Sequence, residues 1–114
     1  MKIVIKNLTF EAILGILESE RVSPQKIEIN LEIDYIYSKD DFMDYSIIAD
    51  MIEKTIKEKK FLLIEEAISE IVKLLKDSYT QIQKIDIEIF KPDILKNAKV
   101  GIRYKEDLNF CKES

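Results

Sequence analysis

The sequence has no histidine and no tryptophan, one cysteine, two glycines and two prolines in 114 residues. Each scarcity excludes something. Without histidine, neither Ser-His-Asp nor Cys-His machinery can form. A zinc site of His and Cys is excluded too, because one Cys cannot hold the metal. Acid–base chemistry must come from Glu, Asp, Lys, Tyr or water. The lone Cys111 cannot close a disulfide within the chain, and no imidazole is present to activate it as a nucleophile. This fits a reducing compartment, as does the lack of a signal-like segment or a long apolar span, so the expected location is the cytoplasm. The few Gly and Pro, with apolar residues throughout, argue against disorder. A net charge of −4 with lysines and acids interspersed leaves no basic stripe, so neither a nucleic-acid partner nor a membrane partner is expected.

What is present is a clear change of period. Residues 2–13 have strand character, in Lys2–Lys6 and again in Leu8–Phe10. Leu14 to Gln25 holds Gly15, Glu18, Glu20, Arg21 and Pro24, and reads as a loop. Ile27, Ile29, Leu31, Ile33 and Tyr35 then alternate with Glu28, Asn30, Glu32 and Asp34, which predicts a strand with one core face. Ser38–Asp41 ends it with turn chemistry. Ile47, Ile48, Met51, Ile52 and Ile56 recur at helical spacing, with Asp44 or Ser46 as the cap. A second helix is predicted over about 62–77. The short connection makes the two helices antiparallel. Ile85, Ile87 and Ile89 restore the strand period, which stops at Gln83. Lys91–Lys99 reads as a loop, Val100–Tyr104 as a last strand, and the chain turns polar and frays from Glu106. The expected organisation is one domain over 1–107 with a polar tail over 108–114. Its order, ββααββ, belongs to the α+β class: an antiparallel sheet with helices on one face. Long edge strands in such a sheet invite pairing with another copy, so the pattern fits a cyclic homo-oligomer, or a monomer whose edges are blunted by lysines, and does not choose between them.

Four places carry candidate chemistry: Gly15 with Glu20-Arg21 and Gln25, then Tyr45 four residues after Asp41, then Leu63-Ile64-Glu65, then Lys91-Pro92 with Val100-Gly101. Each has a plainer reading taken singly. Glu65 could serve the helix dipole. Tyr45 could pack along the apolar stripe, Glu20 and Arg21 could be a solvated pair, and Lys91-Pro92 could only punctuate a strand.

As an ordered set these residues resemble the dihydroneopterin aldolase family. The resemblance covers roughly residues 2–105. It implies a T-fold, whose subunits join their sheets into a barrel, and active sites between subunits of a tetramer or octamer. It implies Glu65 as the anchor of a pterin ring, since a carboxylate can accept two parallel N–H bonds from the ring's guanidine-like edge. The backbones of Ile64 and Met43 would add hydrogen bonds. Lys91, Tyr45 and Glu20 would face the substrate's side chain as catalytic residues, and Gln25 would position its loop. The implied reaction is retro-aldol cleavage of 7,8-dihydroneopterin, with C2′ epimerisation as a second outcome. Neither metal nor organic cofactor is implied. The runner-up readings are an epimerase for the triphosphate, with Arg21 and Lys96 supplying positive charge, and a non-catalytic pterin-binding or assembly subunit. Two features depart from the family pattern: Leu14 stands where a histidine is frequent, and residues 93–99 contain no Gly or Pro.

Overall fold

A computed structural model describes residues 1–108; most of the expected tail, with Cys111, lies outside the described residues. Four strands, β1 (Lys2–Ala12), β2 (Gln25–Tyr35), β3 (Ile82–Lys91) and β4 (Val100–Asp107), form an antiparallel sheet in the order β1-β2-β3-β4. Three helices join them: α1 (Glu18–Val22), α2 (Tyr45–Lys59) and α3 (Ile64–Ser78). The α+β architecture is the one expected, a T-fold subunit of four strands with two long helices on one face.

The core follows from the two periods. Ile27, Ile29, Leu31, Ile33 and Tyr35 of β2 and Ile85, Ile87 and Ile89 of β3 are all buried. Against them lie Ile48, Ile52 and Ile56 of α2, and Ala67, Ile68, Ile71 and Leu75 of α3, at i, i+3/i+4 spacing. Burial of this apolar surface is the main force holding the helices to the sheet. The other sheet face is polar. There Lys2 pairs with Glu32 at 3.1 Å, Lys99 with Glu28 at 3.1 Å and Arg103 with Asp86 at 2.8 Å.

The structure corrects several expectations. Leu14–Gln25 is not all loop, since α1 lies within it. β1 is continuous, carried past an irregularity between Ile5 and Leu8 where Asn7 takes φ 58°. β3 starts at Ile82 rather than at the alternating isoleucines, because a register shift at Asp34/Tyr35 absorbs the extra residue. β4 runs through Glu106 to Asp107. Glu106 is not frayed: it is paired with Lys76 of α3 at 2.7 Å. Asp44, not Ser46, caps α2, accepting the Ser46 N–H at 2.9 Å.

These elements fix two ends of the molecule. Gln25 opens β2 opposite Ala12, and Lys91 closes β3 opposite Val100, so both lie at one end of the sheet. Tyr35, Ile82 and the segment leading into α2 lie at the other, where Ile36 donates to the Gln81 carbonyl at 3.0 Å. The eleven residues of β2 separate these ends by roughly 33 Å.

Candidate active site

Among the described residues Glu20 is the best buried acid, 6% exposed. The backbone around it explains its place. Gly15 has φ +136°, and a Cβ there would meet the Glu20 Cδ at 2.2 Å. The chain therefore turns over the carboxylate at a position only glycine fits. The short α1 then begins, and Glu20 reaches back so that its Oε1 accepts the Leu17 N–H at 3.2 Å. That bond occupies a donor which the helix itself cannot.

The second oxygen of Glu20 gathers the site. Its Oε2 accepts from the Gln25 Nε2 at 2.7 Å and from the Lys91 Nζ at 2.8 Å. Gln25 also donates to the Leu14 carbonyl at 2.7 Å, so one amide ties the first loop, α1 and β2 together. Leu14 itself is fully buried. Burial alone would push the Glu20 carboxyl up; the hydrogen bonds from Lys91, Gln25 and the Leu17 N–H outweigh it and bring the group below its ordinary value. Glu20 is thus held as an anion against a largely buried ammonium. A pair so shielded from water interacts far more strongly than a surface pair.

Gly101 has a steric reason of its own beside Lys91. A Cβ there would stand 2.4 Å from the Ile89 carbonyl oxygen and 2.6 Å from the Phe90 ring. Its absence lets the start of β4 close on the last residues of β3.

Arg21 is the residue whose role the sequence hid. Its Nη1 donates to the carbonyls of Gly15 and Phe61, both at 3.1 Å, and its Nη2 donates to the Lys60 carbonyl at 2.9 Å. Glu20 and Arg21 are therefore not a solvated pair. The guanidinium is also already engaged, which weakens its candidacy as a ligand for a triphosphate.

Glu65 sits in the first turn of α3, exposed. The plainer reading was service to the helix terminus, yet its neighbour Glu66 takes that role, accepting the Leu63 N–H at 3.0 Å. Among the described residues no group donates to the Glu65 carboxylate. It stands at the rim of an open groove of about 440 Å³ between α3 and β4, with Ile68, Val72 and Ile102 in the lining. Ile64 beside it is buried. Glu20, Gln25 and Lys91 do not line that groove. They share an end of the molecule with Glu65, because the linker before α3 docks on the first loop: the Gly15 N–H donates to the Phe61 carbonyl at 3.1 Å.

Tyr45 and Met43 are elsewhere. Tyr45 is the first residue of α2 and 66% exposed, so it does not pack along the apolar stripe. Met43 just before it is buried. Fourteen residues of helix separate Tyr45 from Lys59, a rise of roughly 21 Å. One chain thus brings Glu20, Gln25, Lys91, Ile64 and Glu65 to one end, and leaves Met43 and Tyr45 at the other.

A family model described as dihydroneopterin aldolase (FolB) matches residues 3–105. The chain belongs to the dihydroneopterin aldolase family. Solved structures agree on the fold. A Vibrio cholerae protein assigned as a dihydroneopterin aldolase superposes with a TM-score of 0.84 at 23% identity, covering 94% of this chain and 97% of that one. The Escherichia coli dihydroneopterin aldolase, solved in complex with neopterin, gives 0.83 at 20% identity, over 93% of this chain and 98% of that one. A Burkholderia dihydroneopterin aldolase bound to guanine gives 0.76 at 15% identity, over 94% and 90% of the two chains. No curated protein matches the chain. Among the described residues, no three acidic or thiol side chains converge on a metal-sized site, and no helix is long and apolar enough to cross a membrane.

Proposed function

We propose that this chain is a metal- and cofactor-independent dihydroneopterin aldolase, acting on a pterin held by Glu65. The observation that carries this reading is the shielded Lys91–Glu20 pair at 2.8 Å, at the same end as the Glu65 carboxylate, which has no partner among the described residues. A shielded ammonium–carboxylate pair suits a proton-transfer site better than a pure binding subunit, for which the ring anchor is enough.

In this reading Glu65 accepts two N–H bonds from the 2-amino and N3 edge of the ring, and the Ile64 backbone adds a third contact. Lys91, held by Glu20, acts as the neutral amine after giving one proton to solvent, and takes the proton of the 2′-hydroxyl through a water molecule. The C1′–C2′ bond breaks as the C2′ oxygen becomes a carbonyl, and glycolaldehyde leaves. The released electron pair enters the substrate's own N5=C6 imine, so no lysine Schiff base is required. Protonation of the resulting enol at C1′, assisted by Tyr45, restores the imine and gives 6-hydroxymethyl-7,8-dihydropterin. Recombination on the opposite face before glycolaldehyde escapes inverts C2′.

Tyr45 and Met43 reach this chemistry only from a second copy. A ring that joins the β1 edge of one chain to the β4 edge of the next supplies them, buries both edges and places the site between subunits. The proposed assembly is a tetramer or an octamer built from such rings.

Incubation with 7,8-dihydroneopterin tests the reading. Glycolaldehyde and the hydroxymethyl pterin are expected in equal amounts, with C2′-inverted substrate measured in the same samples. Neither cleavage nor inversion near neutral pH would overturn it.

A further inference from the structure

We infer that Arg21 is a positioning residue that sets the pterin anchor in register with the Lys91–Glu20 pair. The inference rests on the function proposed above and concerns a residue that touches no substrate in it. Arg21 follows Glu20 on the same short helix, and the two side chains do different work. Glu20 turns to Lys91 and Gln25. Arg21 spans the carbonyls of Gly15, Lys60 and Phe61.

Lys60 and Phe61 form the turn between the long helices. Lys60 ends α2 in the left-handed conformation at φ 47°, and its N–H still bonds the Ile56 carbonyl at 3.3 Å. Two carbonyls just past a helix C-terminus are natural partners for a cation. The third carbonyl makes the contact specific. By holding Gly15 and the linker together, the guanidinium locks the loop over Glu20 to the segment that enters α3, with Glu65 four residues beyond Phe61. The Gly15 N–H bond to the Phe61 carbonyl completes the strap. A lysine at this position carries one ammonium and cannot reproduce the rigid fork.

The consequence is a split between binding and turnover. With the strap cut, Glu65 still offers its carboxylate from α3, but an anchored ring no longer presents C2′ to Lys91. Misplacement by about 1 Å is enough to slow a reaction roughly 100-fold. In Arg21→Lys we expect neopterin affinity within about threefold of the parent and kcat lowered at least about tenfold. Added guanidinium ion is expected to restore part of the kcat of Arg21→Ala, and methylammonium not. A kcat in Arg21→Lys within twofold of the parent would overturn the inference. So would a loss of affinity as large as the loss of kcat, the mark of a merely structural role.

Amide hydrogen exchange tests the strap without any substrate, and so separates it from the function itself. Arg21→Lys is expected to speed exchange at Gly15 and over residues 61–65 together, with β2 unchanged. Unchanged exchange at both segments would overturn the inference even if the parent is an aldolase. Faster exchange in Arg21→Lys, beside a parent that cleaves nothing, would sink the proposed function and leave the strap standing.

Discussion

The two ends of this molecule differ in what one chain completes. At the Lys91 end, the groups around the ion pair find their partners within the chain: Glu20 has Leu17, Gln25 and Lys91, and Arg21 has three carbonyls. At the Tyr45 end, Tyr45 is exposed on the first turn of α2; large apolar side chains are exposed at both ends, Ile16, Leu17, Val22, Leu62 and Leu63 at the first and Ile36, Tyr37, Phe42 and Ile47 at the second. The first end is preorganised by one sequence. At the second, Tyr45 stands exposed and far from Glu20, Lys91 and Glu65 of its own chain. The difference teaches which half of the proposed chemistry is complete in one chain: the ring anchor and the proton-transfer pair are, and the tyrosine is not.

The comparison can be broken most sharply at Glu65 and Lys91. Glu65→Ala is expected to weaken neopterin binding at least about 100-fold, the loss of two charge-assisted hydrogen bonds. Lys91→Ala is expected to keep binding within a few-fold and to lower turnover about 100-fold or more. Titration calorimetry with neopterin and a glycolaldehyde assay read the two effects. Neopterin binding in Glu65→Ala equal to the parent's would remove the anchor from this end.

A smaller effect sharpens the point that the Lys91 end is preorganised by its backbone. Gly15→Ala places a methyl against the Glu20 carboxylate and forces alanine to φ +136°. We expect a stability loss of about 1–3 kcal/mol, with turnover down about tenfold from the displaced carboxylate. Thermal melts and kcat together check it. A variant with the melting temperature and kcat of the parent would show that the loop tolerates what its geometry forbids.

The contrast also explains what the sequence made legible. The isoleucine alternation of β2 and the stripes of α2 and α3 were readable because burial imposes a period. Glu20, Gln25 and Lys91, picked out as members of one ordered set, do converge in space. The helix carrying Glu20 was not, because five residues are too few for a period, and α1 is held instead by contacts of Glu20 and Arg21 far along the chain. β4 was read too short for a similar reason. Its outer positions are charged, and the pairing of Arg103 with Asp86, like that of Lys84 with Asp107 opposite it, is legible only once the register is known. Arg21 looked like a surface charge because its partners are backbone carbonyls, which leave no trace in residue identity.

The central claim is that one site draws Lys91 from one chain and Tyr45 from another. Lys91→Ala and Tyr45→Ala chains, each purified with little activity, can be unfolded, mixed and refolded together, and the glycolaldehyde yield compared with that of each refolded alone. The account predicts that mixed assemblies regain a substantial part of the parent's activity, because some sites then receive both intact residues. Mixed assemblies no more active than the average of the two variants would contradict it and place Tyr45 outside the site.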